Sequence, residues 1–296
     1  TANLADSGAL PGNHILTVFE DTEFRLWVVS DLGVSNYNRS DNAFTSFFLY
    51  THPGEHPLPL RLLNSVFNWK RNEILLLTHE GLYLFRMSSG IFYRVHIPDI
   101  VSRETLSAIH DLEYNALDNS YYLTSEKEIF HFAQENDTVF SLLRRAPEPE
   151  GINGIRGVEC GVQGDCWVYS DKVIARMDGT GRLIRLPASP GGQRQRIISL
   201  IQQSPAYLGI ITTEKIIYYH LNSGMVKPEL SYATEIDPSG IHTVLLQSDN
   251  ILWVGTQEGL LQINRHGNIF RSLSFTGIDP ALTEIRAMTY AEPGNI

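Results

Sequence analysis

The stretch "ILWVGTQEGLLQIN" at residues 251–264 contains a short apolar strand, a polar turn that ends in glycine and a second apolar strand. Similar stretches recur along the whole chain, each preceded by an aliphatic inner strand. The seven inner strands begin at Ile15, Leu63, Ile109, Ile155, Ile197, Ile241 and Ile285. Successive starts are 48, 46, 46, 42, 44 and 44 residues apart. A nearly constant period of this length indicates a repeat architecture.

Each complete repeat reads as four short strands separated by polar turns, without a helical period. The second strand and its turn, for example, read "LWVVSDLG", "LLLTHEG" and "WVGTQEG" in three of the repeats. Four strands in about 45 residues are typical of a β-propeller blade. We therefore predict an all-β, single-domain propeller over residues 1–296. It would be sevenfold, with six complete four-stranded blades and the start of a seventh at Ile285. Either the sequence ends before the seventh blade is complete, or chain beyond it supplies the missing strands.

Two columns of the repeat have a structural interpretation. A hydroxyl ends the second strand of every complete repeat, where its oxygen can bond the backbone of the following turn. These residues are Ser30, Thr78, Thr124, Ser170, Thr212 and Thr256. Trp27, Trp167 and Trp253 share a position in the second strand, and we expect these large rings to pack between blades rather than to bind a ligand.

Composition excludes several classes of partner. The chain has 296 residues, of which 43% are apolar, enough for a substantial core. Its formal net charge is −10 and no lysine- or arginine-rich run occurs, which argues against nucleic acid. No run of 18 apolar residues occurs either, so we expect no membrane contact within this chain.

The only two cysteines, Cys160 and Cys166, lie in "ECGVQGDCW", which reads as a hairpin. A hairpin can place the two sulfurs opposite one another, and a disulfide would indicate an oxidising compartment such as the periplasm. Two free thiols are the alternative. Two cysteines are too few for a tetrahedral metal site without histidine ligands, and we expect neither a metal nor a cofactor.

Residues 8–38, "GALPGNHILTVFEDTEFRLWVVSDLGVSNYN", and 241–264, "IHTVLLQSDNILWVGTQEGLLQIN", carry a family pattern. They resemble the two-component-regulator propeller repeats in the sensor regions of bacterial hybrid histidine kinases and diguanylate cyclases. Repeats three to five depart from this pattern, because they lack a counterpart of Gly259. The resemblance implies a periplasmic or extracellular sensing module of a membrane-anchored protein, with its kinase or cyclase output elsewhere.

Propellers bind ligands at the mouth of the central channel, and the second position of each inner strand projects there. These positions include His110, Arg156, His242 and Arg286. Arginine forks suit carboxylate or sulfate oxygens, so one interpretation is a site for a small anionic or carbohydrate-like ligand. The other is that these side chains bond one another or water. His110 and His242 lie three repeats apart, which disfavours a shared metal.

Three hypotheses for function follow from these patterns. The first is a ligand-sensing propeller without catalytic activity of its own. The second is a scaffold or dimerisation propeller, whose partner is a neighbouring propeller or a second copy of the chain. The third, a propeller lyase or hydrolase, is disfavoured because no nucleophile elbow, phosphate loop or zinc-binding helix motif occurs.

Overall fold

The computed structural model describes most of the chain between residues 8 and 273. Outside the description lie 1–7, 9, 13, 22, 24, 39, 42, 51–59, 99–102, 148–151, 153, 162, 178–182, 187–195, 205, 214, 224–225, 232–240, 249–250, 257–258, 265–268 and 274–296. The predicted start of the seventh repeat at Ile285 therefore lies outside the described residues. In the sixth sheet only the backbone is described, apart from the side chain of Val254.

The first three repeats form three antiparallel sheets of four strands each, in chain order within each sheet. The first sheet contains β1 (Ile15–Glu20), β2 (Leu26–Ser30), β3 (Gly33–Asn38) and β4 (Ala43–Phe47). The second contains β5 (Leu62–Asn68), β6 (Glu73–Thr78), β7 (Gly81–Arg86) and β8 (Ile91–Arg94). After the short helix α1 (Arg103–Ser107), the third contains β9 (Asp111–Asn115), β10 (Ser120–Thr124), β11 (Glu128–Gln134) and β12 (Phe140–Pro147).

The next three repeats have the same plan. The fourth sheet contains β13 (Ile155–Cys160), β14 (Cys166–Ser170), β15 (Ile174–Met177) and β16 (Leu183–Arg185). The fifth contains β17 (Ile197–Ser204), β18 (Tyr207–Thr212), β19 (Lys215–His220) and β20 (Val226–Ser231). The sixth contains β21 (Ile241–Ser248), β22 (Ile251–Thr256), β23 (Gly259–Asn264) and β24 (Ile269–Leu273).

The first strands of consecutive sheets lie side by side. β1 contacts β5, β5 contacts β9, and the series continues through β13 and β17 to β21. Each sheet therefore extends outward from a shared line of inner strands, with its fourth strand at the outside. This propeller-like arrangement confirms the prediction of an all-β fold built from four-stranded repeats.

Packing between neighbouring sheets explains why the second strands read as continuous apolar runs. In β6, Ile74 and Leu76 pack with the first sheet, whereas Leu75 and Leu77 pack with the third. Both faces of the strand are covered, so alternation with polar residues disappears. Trp27 and Trp167 are each only 2% exposed, which confirms that these rings belong to the core. The side chain of Trp253 lies outside the described residues.

The hydroxyl column is structural, as predicted, at every described turn except one. Thr78 shows the arrangement: its Oγ1 donates to the carbonyl oxygen of Gly81 at 2.9 Å and accepts the N–H of Glu80 at 3.1 Å. In the third sheet the prediction for Thr124 is wrong. Ser125 accepts the N–H of Glu128 at 3.0 Å, while the buried hydroxyl of Thr124 finds no hydrogen-bond partner within the described part of the chain.

A difference in register accounts for this shift. The inner strands β1, β5, β13, β17 and β21 have an irregularity at their first residue, but β9 pairs with β10 without one. Asp111 therefore lies opposite Thr124, and the turn begins one residue later. The sequence offers two adjacent hydroxyls at this point, so its pattern alone does not distinguish them.

Candidate functional site

Two of the four residues predicted to bind a ligand lie next to each other at the start of the inner strands. The Nε2 atom of His110 is 3.1 Å from the carbonyl oxygen of Arg156. One sheet earlier, the Asn64 side-chain amide donates to the carbonyl oxygen of His110 at 2.8 Å. The second positions of three consecutive repeats are thus linked, because the side chains of Asn64 and His110 each reach the backbone of the next repeat.

Arg156 is exposed and has a carboxylate partner. Its Nε and Nη2 atoms lie 2.9 Å and 3.5 Å from the two oxygens of Asp171, directly after β14. This pairing raises the pKa of Arg156. Exposed ion pairs contribute little to stability, but an anionic ligand at Arg156 would compete with Asp171 for the guanidinium.

The positions of the other two predicted side chains are outside the described residues. His242 lies in β21, whose side chains are outside the described residues, and Arg286 lies in the undescribed segment 274–296. The set of four therefore stays a prediction, with His110 and Arg156 adjacent in the fold.

Further along the inner strands the structure contains a feature that the sequence analysis missed. Three carboxyl groups each accept a backbone N–H from the inner strand of the following sheet. We call Asp111, Glu113 and Glu159 the carboxyl wall. The bonds are Val158 N–H to Asp111 Oδ2 at 2.9 Å, Cys160 N–H to Glu113 Oε1 at 3.3 Å and Gln202 N–H to Glu159 Oε1 at 3.3 Å.

Burial raises the pKa of every member of the carboxyl wall. For Asp111 burial outweighs its backbone hydrogen bonds and raises the pKa to about 7. Burial raises the pKa of Glu159 to about 8, with a contribution from the charge of Asp111. The pKa of Glu113 is raised well above its usual range by burial and by repulsion from Glu159 and Asp111. Each side chain keeps some exposed surface, while protein surrounds most of it.

The carboxyl wall also lacks positive charge. No lysine, arginine or histidine of the described residues forms an ion pair or hydrogen bond with any of its three members. Tyr169 lies beside them, since its pKa is raised by burial and then by the charges of all three carboxyls. An environment of this kind favours bound protons or a cationic group.

Gln202 completes the junction between the fourth and fifth sheets. Its side-chain Oε1 accepts the indole N–H of Trp167 at 2.6 Å. Gly161 makes room for the amide, because a Cβ atom there would lie 2.4 Å from Oε1. Gln202 is 3% exposed, and its Nε2 has no hydrogen-bond partner among the described residues. A buried amide donor without an acceptor is uncommon in folded proteins.

The cysteines next to the carboxyl wall form a disulfide. Cys160 and Cys166 are directly opposite in the pairing of β13 with β14, and their sulfurs are 2.05 Å apart. Of the two states that the sequence left open, the structure has the bonded one. Cys160 also donates its N–H to Glu113, so the bonded hairpin supports the carboxyl wall.

Alternation along the strand is the signal that could have revealed the carboxyl wall. Asp111 and Glu113 are two residues apart in "IHDLEYN", so they share one face of β9. In the next repeat, "IRGVECG", Glu159 has the position that Glu113 has in "IHDLEYN". Among the described residues no group of three or more histidine, cysteine or acidic side chains has the geometry to hold a metal. No helix within the described ranges is both long and apolar enough to span a bilayer.

No protein-family model matches the chain, and a search of curated proteins finds no relative. Solved structures do match. The extracellular domain of BT4673 from B. thetaiotaomicron, a proposed one-component or hybrid two-component system, has a TM-score of 0.66 at 16% identity, covering 89% of this chain and 37% of that one. That of BT3049 from the same organism, a proposed hybrid two-component system, has a TM-score of 0.66 at 13% identity, covering 97% and 38%.

An enzyme also has a similar fold. Virginiamycin B lyase from Staphylococcus aureus has a TM-score of 0.66 at 13% identity, covering 91% of this chain and 87% of the lyase. At these identities the likeness establishes the fold alone. The two extracellular domains confirm the resemblance to two-component sensor propellers at that level. This chain spans little more than a third of their length.

Proposed function

We propose that this chain is a sensing portion of a bacterial transmembrane signalling receptor of the hybrid two-component or cyclic-di-GMP type, located outside the cytoplasm. The observation that carries the proposal is the series of four-stranded sheets with adjoining inner strands, which matches the extracellular domains of two proposed hybrid two-component systems. The disulfide between Cys160 and Cys166 is in keeping with an oxidising compartment. We propose no catalytic activity for the chain itself.

The proposed architecture is one sevenfold propeller over residues 1–296. Six blades correspond to the six described sheets, and the seventh begins at Ile285. The support for seven is the seventh aliphatic start, 44 residues after Ile241, at the spacing of the earlier repeats.

The proposed site lies at the mouth of the channel. His110, Arg156, His242 and Arg286 would bind a small anionic or carbohydrate-like ligand, with the arginine forks donating hydrogen bonds to carboxylate, sulfate or hydroxyl oxygens. Binding would favour one arrangement of the propeller relative to a neighbouring propeller or a second copy, and that shift would reach the output. A ligand is required to bind the two arrangements with different affinity, because otherwise no signal results.

The experiment is a thermal-shift screen with simple organic acids and with sulfated and neutral oligosaccharides. A ligand at 100 times its Kd stabilises the folded state by about 2.7 kcal/mol, which raises the Tm by roughly 4 °C for a chain of this size. Replacing Arg156 and Arg286 by alanine should remove that shift and leave the Tm without ligand within a few degrees. Arg145→Ala is the matched control, since Arg145 is exposed and pairs with the carboxylate of Glu128 on the third sheet.

A scaffold would give a different pattern. No compound would change the Tm, while sedimentation would show dimers that form with increasing concentration. If a compound raises the Tm equally in the wild type and in the double arginine variant, the four-residue site is wrong although sensing is retained.

A further inference from the structure

The carboxyl wall joins the third sheet to the fourth and the fourth to the fifth, and no cationic side chain of the described residues pairs with it. We propose that these junctions form a proton-dependent clasp, closed while the carboxyl groups hold protons and loosened when they ionise. The proposal concerns a response to pH and does not depend on whether the chain senses a ligand.

The geometry couples the carboxyl wall directly to the contact between sheets. Asp111 and Glu113 hold two successive N–H groups of β13 that face the third sheet, and Glu159 holds an N–H of β17. Any change in their charge therefore acts on the bonds that join one inner strand to the next. A neutral carboxyl group still accepts an N–H through its carbonyl oxygen, so protonation does not remove these bonds.

The side chains around the wall leave its charge uncompensated. The titratable or polar groups on the packed elements include Tyr122 of β10, His131 of β11, Arg156 of β13, Tyr169 of β14, and Ser199 and Gln202 of β17. The two cationic candidates are engaged elsewhere. His131 stacks on Tyr122 and bonds Ser120, and burial lowers its pKa; Arg156 pairs with Asp171.

Ionisation of the carboxyl wall places like charges close together in a largely buried site. Burial raises the pKa of all three carboxyl groups; repulsion from Glu159 and Asp111 raises that of Glu113 further, and repulsion from Asp111 raises that of Glu159. Separation of the strands would admit water to the carboxylates, and also to the unpaired Nε2 of the buried Gln202. Opening therefore relieves two unfavourable features of the closed junction at once.

The sign of the pH dependence follows from the raised pKa values. The closed junction keeps protons on Asp111 up to about pH 7 and on Glu159 up to about pH 8, whereas an opened junction with hydrated carboxyls releases them near pH 4 to 5. The closed state is thus favoured fully at acidic pH, and this advantage is lost as the pH rises toward 8.

Amide hydrogen exchange on the whole chain tests the clasp. The amides of Val158, Cys160 and Gln202 should lose protection between about pH 5.5 and pH 8.5, after correction for intrinsic exchange, by up to tenfold per pH unit for each group that titrates. The variant with Asp111→Asn, Glu113→Gln and Glu159→Gln keeps neutral acceptors. Its three amides should stay protected across this range.

The matched control is Glu128→Gln, which removes a carboxylate that has an arginine partner on the third sheet. It should reproduce the wild-type pH dependence at the three amides. Protection that is constant with pH in the wild type, or that falls equally in the triple variant, overturns the clasp. If the triple variant does not fold, Glu159→Gln alone decides: it should flatten the pH dependence at Gln202 and leave that at Val158 close to wild type.

Discussion

Reduction of the Cys160–Cys166 disulfide should lower the free energy of unfolding by about 2 kcal/mol. The bond closes a loop with a sequence separation of 6, which is short. In the chain-entropy account, closing a loop of this size costs the unfolded chain roughly 8 cal/mol/K, or about 2 kcal/mol at 25 °C. For a chain of this length that difference lowers the Tm by about 3 °C.

The assay compares thermal unfolding of the oxidised protein with that of protein reduced by a dithiol, after thiol titration confirms two free thiols. Cys160 is partly exposed, which gives the dithiol an accessible sulfur, whereas Cys166 is buried. The control is the double variant Cys160→Ala, Cys166→Ala, whose Tm should not respond to dithiol. Equal Tm values for oxidised and fully reduced wild type would refute the entropic reasoning, and a fall well above 10 °C would mean that the bond also holds the native hairpin.

Three further predictions concern the packing of the sheets. Phe67→Ala removes a ring that stacks at 4.0 Å on an aromatic ring of the first sheet and should cost about 3–5 kcal/mol in denaturant unfolding. Gly157→Ala places a methyl group 2.7 Å from the Tyr169 hydroxyl and 2.8 Å from a wall oxygen, and should cost about 1–3 kcal/mol, measured in the same way. Thr78→Val removes a bonded hydroxyl and should cost about 1 kcal/mol, whereas Thr124→Val removes an unbonded buried hydroxyl and should be neutral or stabilising. Equal losses for the two threonine variants would contradict the structural role of the hydroxyl column.

The repeat was readable from the sequence because its signals are local. An aliphatic start, an apolar second strand and a hydroxyl before the turn recur at nearly constant spacing, and each reflects packing between adjacent strands. Trp27 and Trp167 were assigned to the core for the same reason. The offset at Thr124 was not readable, because it depends on whether β9 contains an irregularity, and the adjacent Ser125 satisfies the same pattern.

The candidate site was less predictable, because its character depends on contacts between sheets. The sequence placed His110 and Arg156 at one mouth, and the structure brings them together, but the pairing of Arg156 with Asp171 arises only after folding. The carboxyl wall escaped detection because acidic residues in strands usually face solvent. The burial that raises the pKa values of these carboxyl groups becomes visible only when the position of the following inner strand is known.

Among the described residues, the side-chain-to-backbone hydrogen bonds between inner strands run in one direction along the chain. Asn64, His110, Asp111, Glu113 and Glu159 each reach from their own sheet to the backbone of the sheet that follows. During synthesis from the N-terminus, each sheet therefore already contains the side chains that will bond to the next sheet. These bonds form only when the backbone of the next sheet has been synthesised. A fragment that ends after the fourth sheet would leave Glu159 without its donor, the N–H of Gln202. A fragment that begins at the third sheet would keep the donors of Asp111 and Glu113, so the two fragments should differ in solubility.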